Sequence, residues 1–148
     1  MMTTKKIEYL LFRHFFKQSK LVTFRITKNT RIVNHECDFL IVNKNNQLIE
    51  FEIKVSKEDL KKDSAKKHQH NDTRIRQVNF IVPHKLYQDC LELLPVHFGV
   101  WVVNDRDEVK CMRKAKINKT ASPISIDTLL KLYRLDSMKK ITYLKNCI

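Results

Sequence analysis

The stretch Leu48-Ile49-Glu50-Phe51-Glu52-Ile53-Lys54-Val55 holds the residues best suited to chemistry. Side chains alternate faces along a strand. Ile49, Phe51, Ile53 and Val55 then form an apolar face, and Glu50, Glu52 and Lys54 share the other. Upstream, Asp38 opens onto the apolar run Phe39-Leu40-Ile41-Val42, and Asn43-Lys44-Asn45-Asn46-Gln47 between the two has the composition of a turn. An antiparallel hairpin through that turn brings the Asp38 carboxylate beside Glu52 and Lys54. Two carboxylates held together are costly unless a cation neutralises them, and a hard, oxygen-liganded ion such as Mg²⁺ or Mn²⁺ does this. Such an ion lowers the pKa of a bound water and polarises a phosphodiester, while Lys54 stabilises charge developing on the phosphorus or helps position the water. These residue types suit hydrolysis of a nucleic-acid backbone. They do not suit acyl transfer, because no Ser or Cys has an evident His partner. The wet face of an ordinary edge strand would also carry Glu50, Glu52 and Lys54, and the strand alone leaves that alternative open.

Neighbouring residues have weaker claims. Glu36 is expected to share the strand face of Asp38, and Glu50 that of Glu52, so either is a candidate supporting carboxylate. His68 and His70 form an H-x-H pair, but no further ligands stand at zinc-binding spacing. Lys57, Lys61, Lys62, Lys66 and Lys67 suit a solvated helix face and equally a path for a phosphate backbone. Cys37, Cys90, Cys111 and Cys147 are scattered without a CxxC pair and are expected to be reduced, mostly buried thiols. Phe98 and Trp101 are assigned to the core. A single glycine, Gly99, excludes a glycine-rich phosphate loop.

The elements that must position these groups follow from periodicity and punctuation. Thr3 or Thr4 caps a first helix carrying Ile7, Leu10, Leu11, Phe12, Phe15 and Phe16. Strands are expected over Leu21 to Ile26, Arg31 to Val42 and Leu48 to Val55. Ser56 caps a charged helix running to about Lys67. Val78 to Val82 forms a strand closed by Pro83, His84 to Leu94 a helix stopped by Pro95, and Phe98 to Val103 and Val109 to Met112 two further strands. Ser125 caps a last helix with Ile126, Leu129, Leu130 and Tyr133 on its inner side. The order α-β-β-β-α-β-α-β-β-α predicts an α/β fold, a mixed central sheet flanked by helices.

The chain has 148 residues, enough for one substantial core, and one domain over 1–148 is expected, with the core at 5–112 and a basic helical extension at 113–148. Its 29 Lys and Arg against 16 Asp and Glu leave a net charge of +13, which favours polyanions and nucleic acid above all. The excess is concentrated from Lys110 onward, where the only acids are Asp127 and Asp136. No segment suits a membrane span or a signal peptide, and an intracellular, reducing location is expected.

His35-Glu36-Cys37-Asp38, followed by Glu52-Ile53-Lys54, resembles the PD-(D/E)XK nuclease superfamily. The longer string Glu50 to Leu60, together with Lys67-His68 ahead of an apolar strand ending in Pro83, is similar to its MmcB-like DNA-repair branch. The resemblance covers roughly residues 5–110, and Cys37 replaces the proline of the motif. It implies a restriction-endonuclease-like core and a Mg²⁺- or Mn²⁺-dependent nuclease, with DNA the favoured substrate in repair, recombination or mobile-element biology. Asp38 and Glu52 would bind the ion, Lys54 would assist, and Glu8 of the first helix would be a further ligand. Lys57, Lys61, Lys67 and His68 would lie along the nucleic acid. A homodimer would suit paired cuts. A module on the same scaffold that binds nucleic acid without cutting it is the alternative.

Overall fold

The computed structural model describes residues 1–64 and 72–148. Strands β1 (Leu21–Ile26), β2 (Cys37–Val42), β3 (Leu48–Ile53), β4 (Ile75–Pro83), β5 (Gly99–Val103) and β6 (Val109–Arg113) lie in that order across one open, six-stranded sheet. β1, β2 and β3 form an antiparallel meander, β3, β4 and β5 run parallel, and β6 returns antiparallel to β5. Parallel neighbours need crossovers, and the helices α2 (Lys57–Ser64) and α3 (Tyr87–Leu93) lie within the two connections. With α1 (Thr4–Phe15) and α4 (Ile126–Asn146) this is the α/β architecture expected, a mixed sheet flanked by four helices. Among the described residues no helix is long and apolar enough to cross a membrane.

Strand alternation sorts the core by face. Phe39, Ile41, Phe51, Ile53 and Ile81 meet Ile7, Leu10 and Leu11 of α1 on one side. On the other, Leu40, Val42, Leu48 and Ile75 meet Leu132 of α4, while Phe80, Val82, Val100 and Val102 meet Leu60 of α2 and Cys90 of α3. Thr3 caps α1 by accepting from the Lys6 N–H at 3.2 Å, Ser56 accepts from Asp59 N–H at 3.2 Å, and Ser125 accepts from Thr128 N–H at 3.1 Å. Gly99 has a steric role: a Cβ there would lie 2.0 Å from Asn79 Oδ1, the atom that accepts from Trp101 Nε1 at 3.1 Å.

Several expected boundaries move. β2 begins at Cys37 rather than Arg31, because Arg31 sits at φ 59° after a 3₁₀ turn and the following residues find partners outside the sheet. Asn34 N–H donates to Asp72 Oδ2 at 2.7 Å, and the Arg74 guanidinium, itself bonded to Asp72, donates to Arg31 O at 3.0 Å. Ile32 and Val33 are thus buried from a loop. β3 stops at Ile53, β4 starts early at Ile75, and His84–Leu86 is a 3₁₀ turn leading into α3. Phe12 and Phe16 stack on each other at the surface, 5.8 Å between centroids, instead of entering the core. Cys37 and Cys90 are buried thiols, but Cys111 and Cys147 are exposed.

The inner side of α4 differs from expectation most. Leu132 is fully buried, with Leu129 and Leu135 packed beside it, whereas Ile126, Leu130 and Tyr133 are exposed. The 113–148 segment is therefore tied into the sheet's core through Leu132, and Ile124 N–H donates to Asn46 O at 2.7 Å. Replacing Leu132 by Ala is expected to cost about 2–5 kcal/mol, as for other buried leucines. Leu130→Ala is expected to stay within about 0.5 kcal/mol. Urea unfolding of the two variants checks this; equal losses would mean that α4 packs through a different side.

Candidate functional site

β3 is a central strand, with β2 on one side and β4 on the other. Its charged residues therefore do not face water. Glu50 is 0% exposed and Glu52 is 5% exposed. They lie on the face shared with Leu48, in the seam between the cluster under α4 and the cluster under α2 and α3. An edge strand's solvated face is excluded as the reason for these glutamates. Burial of a carboxylate is tolerated only with compensating partners.

Those partners come from different elements. Lys54, just beyond β3, sets Nζ 3.5 Å from Glu52 Oε2 and 3.3 Å from Oδ1 of the buried Asp63 on α2. His35 Nε2 lies 2.7 Å from Glu50 Oε1, and its Nδ1 lies 2.8 Å from Asn34 Oδ1. The β2–β3 register ends with Phe39 opposite Phe51. One step further, where the paired residues stop, the Asp38 carboxylate accepts from the Ile53 N–H at 2.9 Å. Glu8, on α1, lies with Oε1 4.0 Å from Arg25 Nε.

The electrostatics tie these groups into one site. Burial pushes Lys54 down, but the charges of Glu52, Asp63 and Asp38 outweigh it and hold the ammonium above the usual lysine range. Burial pushes Glu8 up and Asp38 adds to this, against the opposing pull of Arg25. The Cys37 thiol is pushed well above its ordinary range by burial and by the negative charges of Glu50, Glu52 and Asp38. Of the expected residues, Asp38 and Glu52 act on Lys54, and Asp38 also acts on Glu8 from α1.

The remaining expectations divide. Glu50 shares the seam but engages His35. Glu36 is exposed and lies outside β2, so it does not share a strand face with Asp38. Lys57 pairs with Asp89 of α3 at 3.1 Å. Lys61 is exposed on α2. Lys66, Lys67, His68 and His70 lie outside the described residues. Asp63 was not anticipated, although it follows the buried Leu60 by three residues on α2 and so shares its face. Lys139 was missed too, seven residues after Leu132 on α4; it donates to Thr23 Oγ1 at 3.3 Å on β1. Burial and the nearby Arg25 hold Lys139 below the usual lysine range, against Asp136, Cys37 and Glu8.

Among the described residues no three His, Cys, Asp or Glu side chains form a group that could enclose a metal ion by themselves. Magnesium, however, usually keeps several waters and takes one or two carboxylates. Asp38 and Glu52 supply hard oxygen donors of that kind. A carboxylate offers about four lone-pair sites, so the bond that Asp38 accepts from Ile53 does not exhaust it.

No family model and no curated protein matches the chain. A solved structure does: a protein of unknown function from Silicibacter pomeroyi, SPO1766, has a TM-score of 0.68 over 98% of this chain and 90% of its own, at 14% identity. At that identity the likeness establishes a shared fold.

The loop that carries His35 depends on Asp72, which accepts backbone N–H bonds from Asn34 and Arg74 and side-chain bonds from Arg74. Burial pushes its carboxyl up, but these bonds outweigh it and leave the group below the ordinary range. The folded state then favours the charged form. Its stabilisation is fully present above the unfolded value near ~4 and is lost as pH falls through the depressed folded value. Asp72→Asn is expected to cost about 1–2 kcal/mol at pH 7. Urea titrations at successively lower pH should show the two proteins converging; a gap that widens in acid would contradict the assignment.

Proposed function

We propose that this protein is a divalent-metal-dependent nuclease of the PD-(D/E)XK superfamily, acting on nucleic acid with DNA favoured. The observation that carries the reading is the burial of Glu52 on a central strand, with Lys54 beside it and Asp38 at the point where the hairpin opens. Buried acids and an ammonium group at the end of a sheet are expensive to keep for stability alone. The net charge of +13 supports a polyanionic substrate.

Each residue then has a role its position suits. Asp38 and Glu52 hold the ion, with Glu8 nearby on α1. The bound ion supplies a water of lowered pKa and a polarised phosphodiester oxygen. Lys54 stays charged between Glu52 and Asp63, so it donates to the phosphate oxygen that gains charge and is unsuited to accept a proton. Asp63 orients Lys54 through its carboxylate, a positioning role. Glu50 and His35 brace β3 one pleat behind.

The second reading is a module that binds nucleic acid and cuts nothing. It is favoured by the bond that Asp38 already accepts from Ile53 and by the pairing of Glu52 with Lys54.

Purified protein incubated with single-stranded, double-stranded and branched DNA, and with RNA, in Mg²⁺ or Mn²⁺ separates the two. Cleavage is expected with the metal and not in chelator. Lys54→Met is expected to lower kcat by about 10²–10³-fold, the usual cost of one transition-state donor, and Asp38→Asn and Glu52→Gln to abolish the metal-dependent cleavage. Equal activity in the wild type and all three variants would reject the site. Tight DNA binding, indifferent to metal and without cleavage, would favour the binding module.

A further inference from the structure

Arg25 interrupts β1. Phe24 pairs with Phe39 and Ile26 with Cys37, but Arg25 between them has φ 53°. A side chain adopts that left-handed conformation only at a cost, and such strain persists where the surroundings enforce it. The distortion lays an exposed guanidinium 4.9 Å over the Phe24 ring, with Nε 4.0 Å from Glu8 Oε1. Lys139 reaches the same ring from α4, its Nζ 4.9 Å from the centroid, and donates to Thr23 Oγ1 and to Phe24 O. Two cations from distant parts of the chain therefore share one aromatic ring, and they repel each other there. Asp136, one turn before Lys139, pairs with Lys140 at 3.2 Å. Glu8 carries the repulsion of the Asp38 charge as well as the pull of Arg25. The arrangement gathers positive charge at the rim of the candidate site, where an incoming anion would relieve it.

We infer that Arg25 and Lys139 form a two-cation seat for a backbone phosphate of the nucleic acid, beside the phosphate presented to Asp38, Glu52 and Lys54. The inference rests on the nucleic-acid reading above and deepens it. Arg25 supplies a planar fork suited to two phosphate oxygens. Lys139 keeps one of its three protons for the ligand after donating to Thr23 and Phe24. Because α4 lies beyond the motif-bearing strands, the basic C-terminal segment would then complete the substrate path and not only add charge.

The test is binding of a fluorescein-labelled oligonucleotide, single-stranded and duplex, followed by anisotropy from low to high salt in chelator. Each lost phosphate contact is expected to lower the slope of log K against log salt by about 0.9 on duplex or about 0.7 on a single strand. The double variant Arg25→Gln with Lys139→Met should lose one such contact, each single substitution should lower the slope by part of it, and Arg25→Lys should keep it. Arg25→Gly separates structure from binding: relief of the left-handed strain should raise the melting temperature while the slope still falls. Unchanged slopes in Arg25→Gln and in the double variant would overturn the seat, as would a wild type that binds neither strand. Variants that only melt earlier would show Lys139 to be an anchor for α4 and overturn it too. Metal-dependent cleavage with unchanged slopes would sink the seat alone, and altered slopes without any cleavage would sink the catalytic reading alone.

Discussion

Two glutamates buried on a central strand set the terms for the rest of this molecule. Glu50 and Glu52 lie between apolar clusters, on a strand with hydrogen-bonded neighbours on both sides. Compensating groups reach them from outside the strands, His35 for Glu50 and Lys54 for Glu52. His35 can reach Glu50 only because its loop leaves the β2 ladder. That departure is held by Asp72 and Arg74, which grip the backbone at Asn34 and Arg31. Lys54 can reach Glu52 and Asp63 only because α2 follows β3 at once, turned by the Ser56 cap so that Leu60 and Asp63 face inward. The irregular parts of the structure are thus consequences of where the acids are buried.

The site is assembled at strand ends because both faces of the sheet are covered. α1 takes one face; α4, α2 and α3 divide the other. A polar group can reach solvent only at the rim, and nearly every element there contributes one: Glu8 from α1, Arg25 from β1, Asp38 from β2, Glu52 from β3, Asp63 from α2 and Lys139 from α4. Convergence of charged groups from so many elements is hard to account for as surface decoration. Each costs side-chain entropy and desolvation that a serine or alanine would not.

Much of this was legible in the residues. The β-branched and aromatic content of Leu21–Ile26 and the alternation from Leu48 to Val55 placed both strands, the asparagine-rich turn paired β2 with β3, and the opposed apolar and charged sides of β3 put Glu52 with Lys54. What alternation does not carry is a strand's place in its sheet. Whether Glu50 and Glu52 were wet or buried depended on β4 joining β3 in parallel, a pairing made across α2. The same limit applies to Ile32 and Val33, whose apolar, β-branched character suggested a strand. Their burial is met from a loop fastened by Asp72, far along the chain. On α4 two apolar stripes compete, and the choice of Leu129, Leu132 and Leu135 over Ile126, Leu130 and Tyr133 is made by the shape of the sheet beneath. No local signal announces that Arg25 takes a left-handed backbone.

The charge distribution bears directly on the proposed chemistry. A chain of net +13 maintains, at the ends of β2 and β3, a region where the surroundings favour cations. Three side chains respond to it independently: Lys54 is held charged although half-buried, Glu8 is pushed toward its neutral form by burial and Asp38, and Cys37 is kept as a thiol. Electrostatic self-consistency would be easier with Glu50 or Glu52 replaced by an apolar residue, as elsewhere on β3. Under the proposed reading, an acidic interior within a basic exterior would act on a nucleic-acid substrate in two opposite ways. The exterior draws in the polyanion over long range, while the interior repels the phosphate unless positive charge accompanies it. Lys54 faces Asp38, Glu52 and Asp63 and is held charged by them. The proposed metal ion and the cations at Arg25 and Lys139 would add positive charge beside Lys54, and the scissile phosphate would be admitted where those charges meet.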